Sequence, residues 1–360
     1  MILFIDSSNI VTGGGKTHLI ELIKCVKPSQ YGFEKVVLYG TKYVMGIIPN
    51  KEWLLKISPS LFNYGYVGRL IWQVFYRSKP INGIWFVPGA GRAPGRYVTM
   101  CQNLLPIDVQ ERKRYFFSLT WVRLVMLGFI HQDAFRKAAG VIFLNEYCFK
   151  SLPVVIQSKV SRIAFIPHGV SEIFTPLSTG KKDVKTFALI YVSTIDVYKH
   201  QWKIAEAVEE LLDEGYAIGI DFIGHANPTA LAKLNPYLSE SIRYLGPVSY
   251  SDLPARYAAF DVFIFGSTCE TFGMVLLEAM ASGLPVLSSN RSSMPETLGE
   301  HALYFDPLDV VAIKEAILKL YKNDSLRRDL REKGIHYAKQ FTWAKTSQDT
   351  FRFIQDCCKG

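Results

Sequence analysis

Short apolar runs alternate with amphipathic stretches along most of the chain, the pattern of βαβ units built around parallel sheets. In the first half the apolar runs predict strands at 2–6, 34–39, 53–58, 83–88, 97–101, 140–144 and 162–167. Helices are expected at about 16–26, 66–77, 114–130 and 146–152. Residues 174–184 carry Pro, Gly and charge without periodicity and read as a linker. The rhythm then restarts. Phe187-Ala-Leu-Ile-Tyr-Val-Ser193 is almost wholly apolar, as a strand covered on both faces should be. Further strands are expected at 217–223, 242–245, 262–266, 285–289 and 302–306. The helices between them fall at about 200–214, 229–238, 252–259 and 274–282, with Gly283 closing the last. From 309 onward the tail is helical. The fold class is α/β, with two Rossmann-like halves and no internal sequence repeat.

Length and composition agree with that layout. At 360 residues and 49% hydrophobic, the chain suits about two domains and is too apolar to stay disordered. The net charge of +9 is unevenly placed. Residues 1–180 hold 21 Lys and Arg against 9 Asp and Glu, and the rest holds 20 against 23. One half is strongly basic, which suggests a polyanionic partner, either nucleic acid or an anionic membrane surface.

The six cysteines are scattered and form no Cys-x-x-Cys pair, so neither a zinc site nor a redox motif is indicated. They read as reduced thiols of a cytosolic protein. Met1-Ile-Leu-Phe-Ile-Asp6 reads as a buried strand rather than a signal peptide. Residues 115–131 are largely apolar, but they are few for a span and carry Arg123 in the middle.

Two motifs follow predicted strands. Thr12-Gly-Gly-Gly-Lys-Thr-His18 precedes the first helix, where glycines let a backbone approach an anion and helix amides attract it. It has neither P-loop nor dinucleotide-fingerprint spacing, so a plain tight turn and a loop over a substrate both remain open. The more informative motif is Phe265-Gly-Ser-Thr-Cys-Glu-Thr-Phe-Gly-Met-Val-Leu-Leu-Glu-Ala-Met-Ala-Ser-Gly-Leu-Pro-Val-Leu287. Glu270 stands on a loop beyond the carboxyl end of a strand, where open α/β sheets bind ligands. Thr271, Phe272 and Gly273 lead into a helix whose free amides can face a diphosphate or sugar hydroxyls. Glu278 sits inside that helix, roughly 8 Å of helix rise away, among Met274, Val275, Leu276, Leu277, Ala279 and Met280. A carboxylate in such apolar surroundings needs a partner.

This motif resembles that of the glycosyl-transferases group 1, or family 4 retaining glycosyltransferases. The resemblance is specific over about 187–306 and rests on Glu270, Thr271-Phe272-Gly273, Glu278 and the Ala-Ser-Gly-Leu-Pro-Val that follows. It implies a GT-B fold: two Rossmann-like domains facing across a cleft, the C-terminal one holding a nucleotide sugar. By resemblance Glu270 contacts the donor sugar, Glu278 the ribose, and the backbone at Phe272 and Gly273 the sugar. Phe341-Thr-Trp343 and the last helix are similar to the segment that crosses back to the first domain in that family. The expected layout is an acceptor-side domain at 1–172, a linker at 173–186, a donor domain at 187–342 and a returning helix at 343–360.

Lys199, after one buried strand and before a helix, can meet a diphosphate as a point charge, and a merely exposed lysine is the other reading. The family usually shows Gly-Arg soon after this strand, where Ser193-Thr194 stand here, so one expected cation is missing. Gly14, Gly15 and Val248 complete the expected donor-binding set. Gln102 and Asn103 follow a first-half strand near where family members often have a His. Their amides can orient hydroxyls but cannot act as a general base near neutral pH, and a strand-end turn is the other reading. His168 reads as structural rather than catalytic.

Tyr66-Val-Gly-Arg-Leu-Ile-Trp-Gln-Val-Phe-Tyr-Arg77 and Arg112-Lys-Arg-Tyr-Phe-Phe117 interleave cations with aromatics, and Arg136-Lys137 follow. They fit either a basic amphipathic face in a lipid interface or core-facing helices with solvated cations. No nucleic-acid recognition motif is present, which disfavours that partner.

The expected function is retaining transfer of a sugar from a nucleoside diphosphate donor to an acceptor hydroxyl. Glu270 and Lys199 are the catalytic candidates, and neither a metal nor a cofactor is expected. The acceptor is expected to be a lipid-linked glycan or oligosaccharide in bacterial surface-polysaccharide assembly, with the enzyme peripheral on the cytoplasmic membrane face. The alternative is a non-catalytic membrane-associated protein that binds nucleotide sugars. A Rossmann dehydrogenase is disfavoured, because the glycine fingerprint and its ribose-binding acid are missing.

Overall fold

Runs of β-branched and aromatic residues become the strands, and those covered on both faces are the most continuously apolar. A computed structural model describes residues 1–10, 13–65, 67–68, 71–72, 75, 83–177 and 186–359. The strands are β1 (Ile2–Asp6), β2 (Lys35–Tyr39), β3 (Leu54–Ile57), β4 (Gly83–Val87), β5 (Tyr97–Met100), β6 (Gly140–Phe143) and β7 (Ile163–Phe165). After the linker come β8 (Phe187–Val192), β9 (Ile218–Ile223), β10 (Ile242–Tyr244), β11 (Val262–Phe265), β12 (Val286–Ser289) and β13 (Leu303–Phe305).

The chain divides into two units. The first comprises Met1–Arg112, Phe117–Gly169 and Thr342–Gly360, and the second Lys113–Phe116 and Val170–Phe341. Each holds one parallel sheet, in the orders β3-β2-β1-β4-β5-β6-β7 and β10-β9-β8-β11-β12-β13. Within each sheet the strand order reverses beside the first strand, between β1 and β4 in one and between β8 and β11 in the other. That is the doubly wound α/β pattern, which places ligand crevices outside the carboxyl ends of the strands flanking the reversal.

The first core is dense in aromatics. Trp85 of β4 stacks on Phe4 at 5.0 Å and on Tyr39 at 5.5 Å between ring centres. The Trp343–Asp356 helix belongs to this unit and buries Phe351 against Tyr31 and Phe33. Arg96 Nε donates to the Cys357 carbonyl at 2.6 Å, and a Cβ on Gly140 would sit 2.5 Å from Cys357 Sγ. Gly140 is therefore the residue that lets this helix end lie on β6.

The aromatic segment after Pro106 departs from expectation. A helix over about 114–130 was expected, whereas a short helix occupies Val109–Lys113 and the long one runs Leu119–Lys137. Phe117 takes φ +60, which breaks the helical path, and Ser118 then caps the new start by accepting from Trp121 N at 3.1 Å. Tyr115, between the two helices, donates to Asp196 Oδ1 at 2.7 Å within the second unit.

Most of the basic stretch expected as a 66–77 helix lies outside the described residues, as do Thr12 and most of the 173–186 linker, residues 178–185. Among the described residues no helix is long and apolar enough to cross a membrane.

Candidate active site

β8 and β11 flank the reversal in the second sheet, and the loops after their carboxyl ends carry Lys199 and Glu270. The Lys199 backbone is fixed from two sides: its carbonyl accepts from the Tyr191 hydroxyl at 2.7 Å and its amide bonds to the Asp196 carbonyl at 3.0 Å. Its side chain is buried and its ammonium bonds Glu270 Oε1. The rings of Phe265 and Tyr198 lie 4.8 and 4.9 Å from that ammonium, so the cation is held between a carboxylate and two π faces. Two predicted residues, 71 positions apart, thus form one ion pair.

Glu270 is also held through its backbone. Ser292 Oγ accepts from Glu270 N and donates to Glu270 O, both at 2.9 Å. Ser292 adopts φ +57, a costly region for a residue with a Cβ, so this clamp is imposed by the surrounding fold. His200, at φ +52, starts the Gln201–Asp213 helix beside the same loops, with Nε2 at 3.2 Å from Thr268 Oγ1. Burial, aided by nearby Arg114 and Lys233, lowers its pKa to about 3, so it stays neutral.

Downstream of Glu270, Gly273 takes φ +75 and caps the Met274–Ala281 helix without any side-chain cap. A Cβ at Gly273 would meet only the end of the Leu276 side chain, so it is the left-handed conformation that favours glycine here. The Phe272 ring packs on Phe341 at 5.9 Å, so only the backbone of Phe272 can serve a ligand. Thr271 lies on the loop between Glu270 and this helix start, half-buried.

Glu278 is 3% exposed, and the Tyr250 hydroxyl donates to its Oε1 at 2.6 Å. Burial pushes its pKa up to about 8, against the lowering effect of that hydrogen bond. Val248 lies in the same loop as Tyr250, half-buried. At the missing-arginine position, Thr194 O accepts from Gln201 Nε2 at 3.0 Å, and the Ser193 hydroxyl donates to that same carbonyl at 3.2 Å. Neither Ser193 nor Thr194 supplies a cation there.

In the first unit, Gly14 and Gly15 open the Gly14–Lys24 helix beyond β1, after Gly13 at φ +67, again with no side-chain cap. A Cβ on Gly15 would lie 3.1 Å from Gln102 Oε1, so these two predicted residues are neighbours. Gln102 Nε2 lies 3.1 Å from His18 Nδ1. His18 is fully buried beside His168 and Trp343, and burial lowers its pKa to about 4. His168 is likewise buried and lowered, first by desolvation and then by His18. Asn103 takes a turn role, accepting from Leu105 N at 3.0 Å.

Tyr250, Ser292 and His18 escape sequence reasoning. His18 is inside the glycine motif, but its bond to Gln102 spans 84 positions. The one signal for Ser292 is its place in the loop after β12, at the sheet's carboxyl end. Among the described residues no group of three or more His, Cys, Asp or Glu could hold a metal ion.

Comparisons with known proteins bear on this geometry. Residues 178–337 match the sequence model of the family Glycosyl transferases group 1. The chain is 45% identical over 109 residues to O-antigen chain mannosyltransferase B of Escherichia coli, covering 30% of this chain and 29% of that protein. It is 34% identical over 275 residues to Serotype-specific mannosyltransferase WbdA of Escherichia coli, covering 72% of this chain and 33% of that protein. The chain therefore spans about a third or less of the length of these relatives. Among solved structures it is similar to sucrose-phosphate synthase from Thermosynechococcus elongatus, with TM-score 0.78 at 15% identity, covering 99% of this chain and 98% of that one. On these matches residues 178–337 carry the sequence of the group 1 glycosyl transferases, and the two parallel sheets have the GT-B fold.

Proposed function

We propose that the chain is a retaining glycosyltransferase that moves a mannosyl group from a nucleoside diphosphate donor to a hydroxyl of a growing, lipid-linked surface glycan. The observation that carries the reading is the Lys199–Glu270 ion pair beyond the ends of β8 and β11, with buried Glu278 on the helix that follows. Mannose is chosen because both curated relatives described above are named mannosyltransferases. The second unit holds the donor. There Lys199 and the amides opening the Met274–Ala281 helix neutralise the charge that develops on the leaving diphosphate. Glu270 and the backbone at Thr271, Phe272 and Gly273 fix the sugar, and Glu278 accepts from the ribose. Val248 borders the base. These groups raise effective concentration rather than move protons. Gly14, Gly15, Gln102 and Asn103 of the first unit border the donor phosphates and the acceptor.

The enzyme works peripherally on the cytoplasmic face of the membrane. Supporting this, Phe117, Leu119, Val122, Met126 and Phe129 are exposed along the start of the Leu119–Lys137 helix, with Phe117 and Leu119 at 93% and 90%. Arg123 lies within that stretch and Arg112 and Lys113 just before it.

The decisive experiment incubates purified chain with GDP-mannose, UDP-glucose or GDP-glucose and a synthetic lipid-linked acceptor. Release of nucleoside diphosphate with an α-linked product confirms both transfer and retention. Donor binding without release, with any of the three, makes the chain a nucleotide-sugar binding protein and overturns the reading.

A further inference from the structure

The second unit has a pocket of about 480 Å³ that lies away from the Lys199–Glu270 loops. Asp261 enters it just before β11, and Leu284 and Pro285 just before β12. It therefore opens at the amino ends of these parallel strands, whereas the proposed donor loops leave their carboxyl ends. Its volume falls within the range of about 300–1,000 Å³ usual for small-molecule sites.

Three arginines of the Asp324–Ala338 helix line it: Arg327, Arg328 and Arg331. Their spacing places them on one side of the helix, with Arg331 one turn beyond Arg327. Arg327 has a structural task. It donates to the Tyr321 carbonyl at 3.0 Å and to Asp324 at 2.8 Å, and rests over the Phe187 ring. Arg328 reaches only Asp324, at 3.5 Å, and is largely exposed. Arg331 makes no hydrogen bond or ion pair among the described residues. Its guanidinium lies over Gly283, 3.3 Å from where a Cβ would stand. Gly283, at φ +84, closes the Met274–Ala281 helix and leaves that space open.

A second observation points to a ligand. Ser282 lines the pocket and is 7% exposed, yet its hydroxyl has no hydrogen-bond partner. The buried Tyr257 hydroxyl, from another lining residue, also lacks one. Buried polar groups in folded proteins are nearly always satisfied, so the unmatched Ser282 hydroxyl, closed off behind a wall that also carries Asp261, Asp324 and the three arginines, has an acceptor to gain by turning toward the pocket. Guanidinium forks recognise tetrahedral oxyanions in two-point fashion, which suits Arg331, without an ion pair, and Arg328, held only by a 3.5 Å ion pair to Asp324.

We infer that this pocket binds a small phosphate monoester of hexose size, its phosphate held by Arg328, Arg331 and the Ser282 hydroxyl. The site is independent of the donor groove and does not rest on the activity proposed above. Ser282 follows Glu278 by four positions at the end of one helix, so the pocket also abuts the element that carries the proposed ribose ligand.

Isothermal titration calorimetry of the full chain with mannose 1-phosphate, mannose 6-phosphate and inorganic phosphate tests this. At least one hexose phosphate should bind saturably in the millimolar range or tighter, and more tightly than inorganic phosphate. The Arg328→Gln/Arg331→Gln variant, changed at exposed positions, should weaken that binding by about tenfold or more. Ser282→Ala should weaken it severalfold, and Lys199→Ala should leave it unchanged. Absence of saturable binding, or binding lost in Lys199→Ala and kept in the arginine variant, overturns the inference. Equal affinity for inorganic phosphate overturns the assignment to an ester.

Discussion

The hydroxyl of Tyr250 donates a 2.6 Å hydrogen bond to Oε1 of Glu278, a carboxyl with 3% of its surface exposed. Burial raises the pKa of Glu278 from 4.5 to about 8, while the tyrosine pulls it back. The folded state therefore binds this proton more tightly than the unfolded chain. Stability from this group is fully present below about pH 4.5, and is lost as pH rises through about 8. The loss is at most about 1.4 kcal/mol per pH unit across that window. Glu278→Gln should flatten the decline, measured as the difference in urea midpoint between pH 5 and pH 8. An unchanged slope would mean that Glu278 titrates normally.

Removing the donor side of the same contact gives an independent check. Tyr250→Phe deletes the hydrogen bond but keeps the ring, which packs edge-on against Phe174 at 5.3 Å. The expected cost is about 1 kcal/mol of stability near neutral pH. The variant should also show a raised KM for the nucleotide sugar with little change in kcat, because the ribose contact is proposed to be equally present in ground and transition states. Steady-state kinetics with varied donor reads this split.

Lys199 and Glu270 compensate each other's charge in a largely buried position. Lys199→Met leaves the carboxylate unpaired and should cost about 3–5 kcal/mol. The double variant Lys199→Met/Glu270→Gln should regain part of that stability but no activity. Thermal melting and turnover, measured on the same samples, separate the two effects. If the double variant melts no higher than Lys199→Met, the pair is not coupled.

How far this site was legible from sequence follows the distance over which each contact closes. β11 and β12 are wholly buried, and their unbroken apolar runs show it directly. The need of Glu278 for a partner was readable from the apolar residues around it, but Tyr250 was not. The bond joins positions 28 apart, and nothing local in Tyr250-Ser-Asp252 marks it. Ser292 is hidden for the same reason, since its partner lies 22 residues earlier. The start of the Leu119–Lys137 helix was missed although Ser118 is a regular capping residue. There the aromatic run Tyr115-Phe-Phe117 outweighed a local signal, and its tyrosine is taken by Asp196 of the second unit.

Ser292→Ala would delete both hydrogen bonds that clamp the Glu270 backbone, at about 1 kcal/mol each. Its larger effect should be kinetic, about tenfold or more in kcat, because Glu270 is then free to leave the geometry that orients the sugar. Ser292→Gly removes the hydroxyl but relieves the φ of +57, so it should melt higher than Ser292→Ala while being equally slow. Comparing both variants separates the hydroxyl clamp from backbone strain. Equal melting temperatures would show that strain at Ser292 is negligible.

The apolar stripe on the Leu119–Lys137 helix makes a prediction that does not depend on catalysis. Leu119 and Phe129 are 90% and 70% exposed, so Leu119→Ser/Phe129→Ser should leave thermal stability unchanged or slightly improved. In liposome flotation the wild-type chain should rise with vesicles rich in phosphatidylglycerol and stay behind with neutral ones. The variant should lose most of that binding, because the apolar contact supplies the insertion and the cations only the attraction. Salt distinguishes the two contributions. Each cation near the surface contributes about 1 kcal/mol, so raising ionic strength should weaken capture of both proteins in parallel. If the double variant floats as well as wild type at low salt, the stripe does not touch lipid, and attraction must come from the basic residues alone.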